Sequence, residues 1–110
     1  MIKIIKINKY KRLVNEYYIG RNFGNLEGSV LGNKFKINRD GDRKEVIEKY
    51  RKWLWKEVKK KEGKVWNELM MLVKEVKAGK DIYLSCWCKP LECHGDVIKS
   101  CIEWLIKEGH

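Results

Sequence analysis

The sequence predicts an α/β fold: a small single-domain sandwich with a short, mostly parallel sheet covered by about three helices, in the order β-β-α-α-β-α. Three observations predict it. The chain has 110 residues, 44% of them hydrophobic, enough for one domain with its own core. Two consecutive stretches carry apolar residues at helical spacing. A segment apolar on both faces, "DIYLSCWC", then precedes a third helical pattern, as expected of a central strand covered by helices.

The elements follow in order. Ile2, Ile4 and Ile7, with Ile5 between, give a first strand with partial alternation. "EYYIG" (Glu16 to Gly20) is β-rich, closes on glycine and reads as a second strand. From Arg21 to Asp42 the chain is rich in glycine and asparagine with no sustained period, which predicts a long loop of the kind that carries function. Asp42 is placed to cap a helix bearing Val46, Ile47, Tyr50, Trp53, Leu54 and Val58 on one face, with Gly63 as its stop. Tyr50 and Trp53 read as core. A second helix carries Val65, Leu69, Leu72, Val73 and Val76. The third strand ends at "KPLE", where Pro90 removes a donor. The last helix, from Cys93 onward, points Val97, Ile98, Cys101 and Leu105 inward, and Cys101 reads as a small core residue.

Composition narrows the function classes. No apolar run approaches the ~18 residues of a membrane span, so no membrane partner is expected. The N-terminus lacks the apolar centre and cleavage site of a signal peptide. The expected location is cytoplasmic, where clustered cysteines indicate metal or redox chemistry more than structural disulfides. The net charge of +10 fits a nucleic-acid or phosphate-bearing partner. It fits base-composition bias equally well: twenty of the 25 basic residues are lysine, and Thr and Gln are absent.

The chemistry concentrates in "CWCKPLECHG", Cys86 to Gly95, which holds three of the four cysteines and the only non-terminal histidine. It lies where a strand ends and a helix begins, the place where open α/β sheets bind ligands. Cys86 and Cys88, two apart on the predicted strand, should share a face. Cys93 falls at the first turn of the last helix, where N–H groups and the helix dipole favour a thiolate. Asp96 complements the same dipole. Cys93, His94 and Cys88 are therefore the candidate catalytic residues. Three readings stand side by side. Cys86, Cys88, Cys93 and His94 have the donor chemistry for zinc, although the spacing is not that of paired C-x2-C knuckles. Cys93 and Cys88 suit thiol–disulfide exchange, with Cys93 attacking and Cys88 resolving. The third reading is inert packing.

Taken in order, "YIGR" (Tyr18 to Arg21), "LGNKF" (Leu31 to Phe35), "DRKEVIEKYRKWL" (Asp42 to Leu54) and "CWCKPLECHGDVI" (Cys86 to Ile98) make residues 18–98 of the chain resemble a phage and bacterial family, the domain of unknown function numbered 4326. The resemblance implies that Tyr18, Gly20, Arg21, Gly32, Asn33, Phe35, Arg43 and Tyr50, and then the Cys-Trp-Cys-x-Pro-x-x-Cys-His-Gly motif, match the family pattern. Lys34 departs from it, standing where the family usually has proline. At a distance the family is similar to other small α/β domains with a strand-end cysteine loop and an inferred nucleotide-related chemistry.

These readings converge on one expectation. If the second and third strands are parallel neighbours, Arg21 and Arg43 share a pocket with the helix N-terminus and the thiols. Gly20, Arg21, Asn33, Arg43 and Gly95 would then bind a small phosphate-bearing ligand, most simply a nucleotide. Cys93 would act as nucleophile and His94 as proton donor or acceptor. The alternative is a basic module that binds nucleic acid through Lys59, Lys60, Lys61 and nearby lysines.

Overall fold

In the computed structural model, which describes every residue except Lys9, Asn25 and Pro90, three strands form one parallel sheet with three helices packed on it. The strands are β1 (Ile2–Lys6), β2 (Glu16–Tyr18) and β3 (Ile82–Cys86). The helices are α1 (Arg43–Lys60), α2 (Lys64–Lys77) and α3 (His94–Lys107). The predicted element order is the observed one. Pro90, expected to break the third strand, lies outside the described residues.

The sheet order is β1-β3-β2, and β3 pairs in parallel with both neighbours. The register sets Ile2 opposite Ile82, and Ile4 and Tyr17 opposite Leu84. Beyond the strand ends, the Ile7 N–H donates to the Cys86 carbonyl at 2.9 Å and the Ile19 N–H to the Ser85 carbonyl at 3.0 Å. Because β1 and β2 flank β3 and point the same way, the helix-free link 7–15 must run back along the sheet. The Glu16 carboxylate ties that link down: it accepts from Arg12 Nε at 2.5 Å and from the Leu13 N–H at 2.9 Å.

Strand alternation puts Ile2, Ile4, Ile82 and Leu84 on one face, and the helices cover that face. Leu54, Leu69, Leu72, Ile98, Ile102 and Leu105 are fully buried there, each worth about 1.5–3 kcal/mol of transfer free energy. The second face of β3 differs from the expectation of cover on both sides. Ser85 is fully buried there, but Tyr83 and the neighbouring Ile5 are only half-buried and Lys3 is exposed, so that face is covered in part. The strand reads as apolar on both faces because a tyrosine tolerates a half-wet surface.

Local chemistry sets the helix ends. Asp42 Oδ1 accepts the Glu45 N–H at 2.9 Å and Glu45 Oε1 accepts the Asp42 N–H at 3.2 Å, a reciprocal cap on α1. That helix ends at Lys60, on a left-handed Lys61 (φ 53°), rather than at Gly63. Gly63 instead starts α2, with a φ of 98° open to glycine alone without strain. Tyr50 is fully buried, and its hydroxyl donates to the Leu31 carbonyl at 2.6 Å, tying α1 to the long loop. The loop is pinned further by Asn33 Oδ1, which accepts from the Phe35 N–H at 2.9 Å, and by the Lys34 ammonium 5.0 Å over the Trp53 ring. Lys34 thus anchors the loop by its side chain. No helix among the described residues is long and apolar enough to cross a membrane.

Candidate functional site

β3 stops at Cys86, and Trp87 and Cys88 bend away from the ladder. Cys86 and Cys88 are therefore not two positions of one strand, and the expected shared strand face is not formed. The turn closes where the Leu91 N–H donates to the Cys88 carbonyl at 2.8 Å. The chain then extends through Cys93 (φ −146°, ψ 171°), which caps α3. Asp96, three residues on, accepts the Cys93 N–H at 3.3 Å and holds the Lys89 ammonium at 3.1 Å. Asp96 therefore has the dipole-matching, capping role that its position suggested.

This path brings two buried sulfurs together. Cys86 Sγ and Cys93 Sγ lie 3.1 Å apart, with Cys88 beside Cys86; all four cysteines of the chain are free thiols. The Cys93 thiol lies below the ordinary range, because the bond to Cys86 favours its thiolate and the Gly95 N–H and Lys89 add to this against burial. For Cys86, the Cys88 thiol favours the charged form, but the bond to Cys93 and burial outweigh it and push the thiol up. Cys88 is raised further by its interaction with Cys86 and by burial, with Arg43 opposing. The three sulfurs are thus tuned in opposite directions, Cys93 down and Cys86 and Cys88 up.

His94 occupies the first position of α3, buried at 7% exposure. Its Nε2 is 2.6 Å from the Ile19 carbonyl oxygen, which can only accept, so Nε2 carries the hydrogen and Nδ1 the lone pair. Among the described residues, every buried side-chain nitrogen and oxygen has a partner. Nδ1 has no hydrogen-bond partner among the described residues. Burial, with Arg21 assisting, lowers the His94 pKa against the Ile19 bond and Asp96, and keeps the ring neutral.

The geometry expected from the sequence is present: β2 and β3 are parallel neighbours, and their carboxyl ends open onto one cavity of about 420 Å³. Cys86, Cys88, Cys93 and His94 line it, together with Arg21 and Arg43. Gly20 and Asn33 also reach its wall. Gly20 is needed for a local reason, since a Cβ there would collide with the Tyr18 ring, whose hydroxyl donates to the Arg21 carbonyl at 2.6 Å. The Asn33 amide is engaged at both ends within the fold, with Nδ2 3.4 Å from the Val46 carbonyl. Arg43 Nη1 donates to the Glu92 carbonyl at 3.0 Å and so clips α1 to the cysteine turn. The Arg21 guanidinium has no ion pair or hydrogen bond among the described residues.

Two expectations change. Gly95 is not in the cavity wall; it is buried, and a Cβ there would stand 2.9 Å from Ile4 Cγ2 and 3.0 Å from Ile19 Cδ1. Its smallness lets α3 approach the sheet, not a ligand. The zinc reading of Cys86, Cys88, Cys93 and His94 gains no support. Among the described residues no three His, Cys, Asp or Glu side chains are grouped to hold a metal ion, and the His94 Nε2 hydrogen is directed at a backbone carbonyl. The aromatic wall of Phe23, Phe35 and Trp87 was not anticipated as part of the site. Trp87 Nε1 donates to the Tyr18 hydroxyl at 2.9 Å, and its ring lies 4.8 Å from that of Phe23. Both rings are substantially exposed. The signal was a tryptophan between two cysteines and a phenylalanine in a loop without hydrophobic period.

Fold and site define a small parallel α/β domain whose strand ends hold a cysteine–histidine cavity. The chain belongs to the family described as a domain of unknown function (DUF4326), whose model matches residues 2–104, a longer stretch than the motifs alone mark. No curated protein and no solved structure matches the chain.

Proposed function

We propose that the chain binds a nucleotide, or another small phosphate-bearing molecule, in this cavity. The Arg21 guanidinium at the wall, without an ion pair or hydrogen bond among the described residues, carries the reading, because a phosphate needs such a fork of donors. Arg43, on the same wall, adds a second guanidinium. Phe23 and Trp87 offer exposed ring faces on which a base can stack. A volume of about 420 Å³ suits a small ligand. In this reading Cys93 acts as the nucleophilic thiolate, Cys88 as a proton-bearing thiol and His94 Nδ1 as proton acceptor. Four free cysteines fit the reducing cytoplasm.

Calorimetric titration with mononucleotides tests it. Arg21→Gln should weaken binding by about tenfold or more, the scale of a charge-assisted hydrogen bond, while leaving thermal stability unchanged, since Arg21 is exposed. Absence of binding by every mononucleotide at millimolar concentration would reject the reading. A second reading, nucleic-acid binding, draws on the exposed lysines Lys44, Lys52, Lys56, Lys59, Lys60 and Lys61 along and just after α1. It requires affinity that falls steeply with salt and ignores Arg21→Gln.

A further inference from the structure

We infer that Cys86 and Cys93 form a thiol–disulfide redox couple, oxidised by hydrogen peroxide entering through the cavity. The sulfurs are 3.1 Å apart, and each is carried by a fixed element. Cys86 is the last residue of β3, held in register with Lys6 of β1, and Cys93 is the cap of α3. Little backbone movement is needed to join them. Cys88, the resolving partner expected from the sequence, stands in the turn beyond the strand and beside Arg43. Cys101 is sealed in the hydrocarbon core. The position of Cys93 at a helix start, with N–H groups directed at its sulfur, makes it the attacking thiolate. Both residues line the cavity and are 1% exposed, so a reagent in the cavity stands next to the pair.

The step balances. The Cys93 thiolate attacks one oxygen of the peroxide and the O–O bond breaks. Hydroxide leaves and takes a proton as water, and Cys93 becomes a sulfenic acid. The Cys86 sulfur then attacks the Cys93 sulfur, the S–O bond breaks, and the hydroxyl departs as water with the Cys86 proton. Two thiols are oxidised to one disulfide and one peroxide is reduced to two waters. A dithiol reductant reverses the reaction.

The couple goes beyond ligand binding and does not depend on what fills the cavity. Its test uses no nucleotide, so failure of one reading leaves the other standing. The reduced full-length chain is treated with one equivalent of hydrogen peroxide, denatured, alkylated and mapped by mass spectrometry. The expected product has lost two hydrogens, joins Cys86 to Cys93, leaves Cys88 and Cys101 alkylated, and is restored by dithiothreitol. Cys88→Ser should give the same bond with one alkylated thiol. Cys86→Ser should instead accumulate Cys93 sulfenic and sulfinic acids; if that variant does not fold, the Cys88→Ser map decides. A disulfide that includes Cys88 or Cys101, a sulfinic Cys93 beside a free Cys86 in the unsubstituted chain, or faster reaction with glutathione disulfide than with peroxide would overturn the assignment. So would no reaction at all.

Discussion

The first turn of α3 and its middle each hold a buried cysteine, and the two behave oppositely. Cys93 is 1% exposed and Cys101 0%. The first is held below the usual thiol range by the Cys86 bond, whereas burial pushes Cys101 up to about 12. Burial alone therefore does not set the reactivity of a thiol in this molecule. What decides is whether hydrogen-bond donors stand within reach once water is gone. At the helix start another thiol and first-turn N–H groups stand beside the sulfur; in the middle the N–H groups are used within the helix, and burial dominates.

The largest effect that sharpens this contrast is alkylation of the folded chain. Iodoacetamide near neutral pH should modify Cys93 first. Cys101, at about 12 against an ordinary 9.0, should lag an unburied thiol by about a thousandfold until the protein is unfolded. Peptide mapping over time measures both, and equal rates would break the comparison. Serine substitution comes next. Cys101→Ser places a hydroxyl in the apolar core and should cost about 1–3 kcal/mol in urea unfolding. Cys93→Ser installs a favoured helix cap and should cost little or nothing.

Gly95→Ala probes the packing under the same turn. Its Cβ would meet Ile4 and Ile19 at 2.9 and 3.0 Å, so the overpacking cost of about 1–3 kcal/mol should exceed the gain in helix propensity of up to about 1 kcal/mol. A more stable variant would show that α3 can shift on the sheet. The smallest effect concerns acid. Burial depresses the folded-state His94 pKa below 6.5, so between these values the unfolded chain binds the proton and the folded chain does not. Stability should therefore fall as pH drops from about 6.5 toward the folded value. His94→Gln should flatten that part of the curve, measured by urea unfolding across pH.

Much of the fold was legible because helices are local. The apolar stripes of α1 and α2 follow from 3.6-residue spacing, and Asp42 with Glu45 spells out a cap. The same locality misplaced two ends. The sequence points to Gly63 as the α1 stop, whereas Lys61 takes the left-handed conformation that lysine rarely adopts. β3 was extended to Cys88 because Trp87 and Cys88 continue its apolar run, whereas pairing with β1 stops at Cys86. The aromatic wall was missed because Phe23 and Trp87 meet only when β2 lies beside β3.

By itself the sequence determined three helices, three strand segments in order, and a thiol-bearing turn before the last helix, all set by dihedral preference, periodicity and capping among near neighbours. Only the tertiary structure decided that β3 lies between β1 and β2, that Arg21 and Cys93 line one cavity, and that Cys86 rather than Cys88 faces the Cys93 sulfur. Those facts depend on strand pairing and helix packing between residues dozens of positions apart. Their energy comes from burying Ile4, Ile19, Leu84 and the inner stripe of α3 together, and no local pattern encodes it.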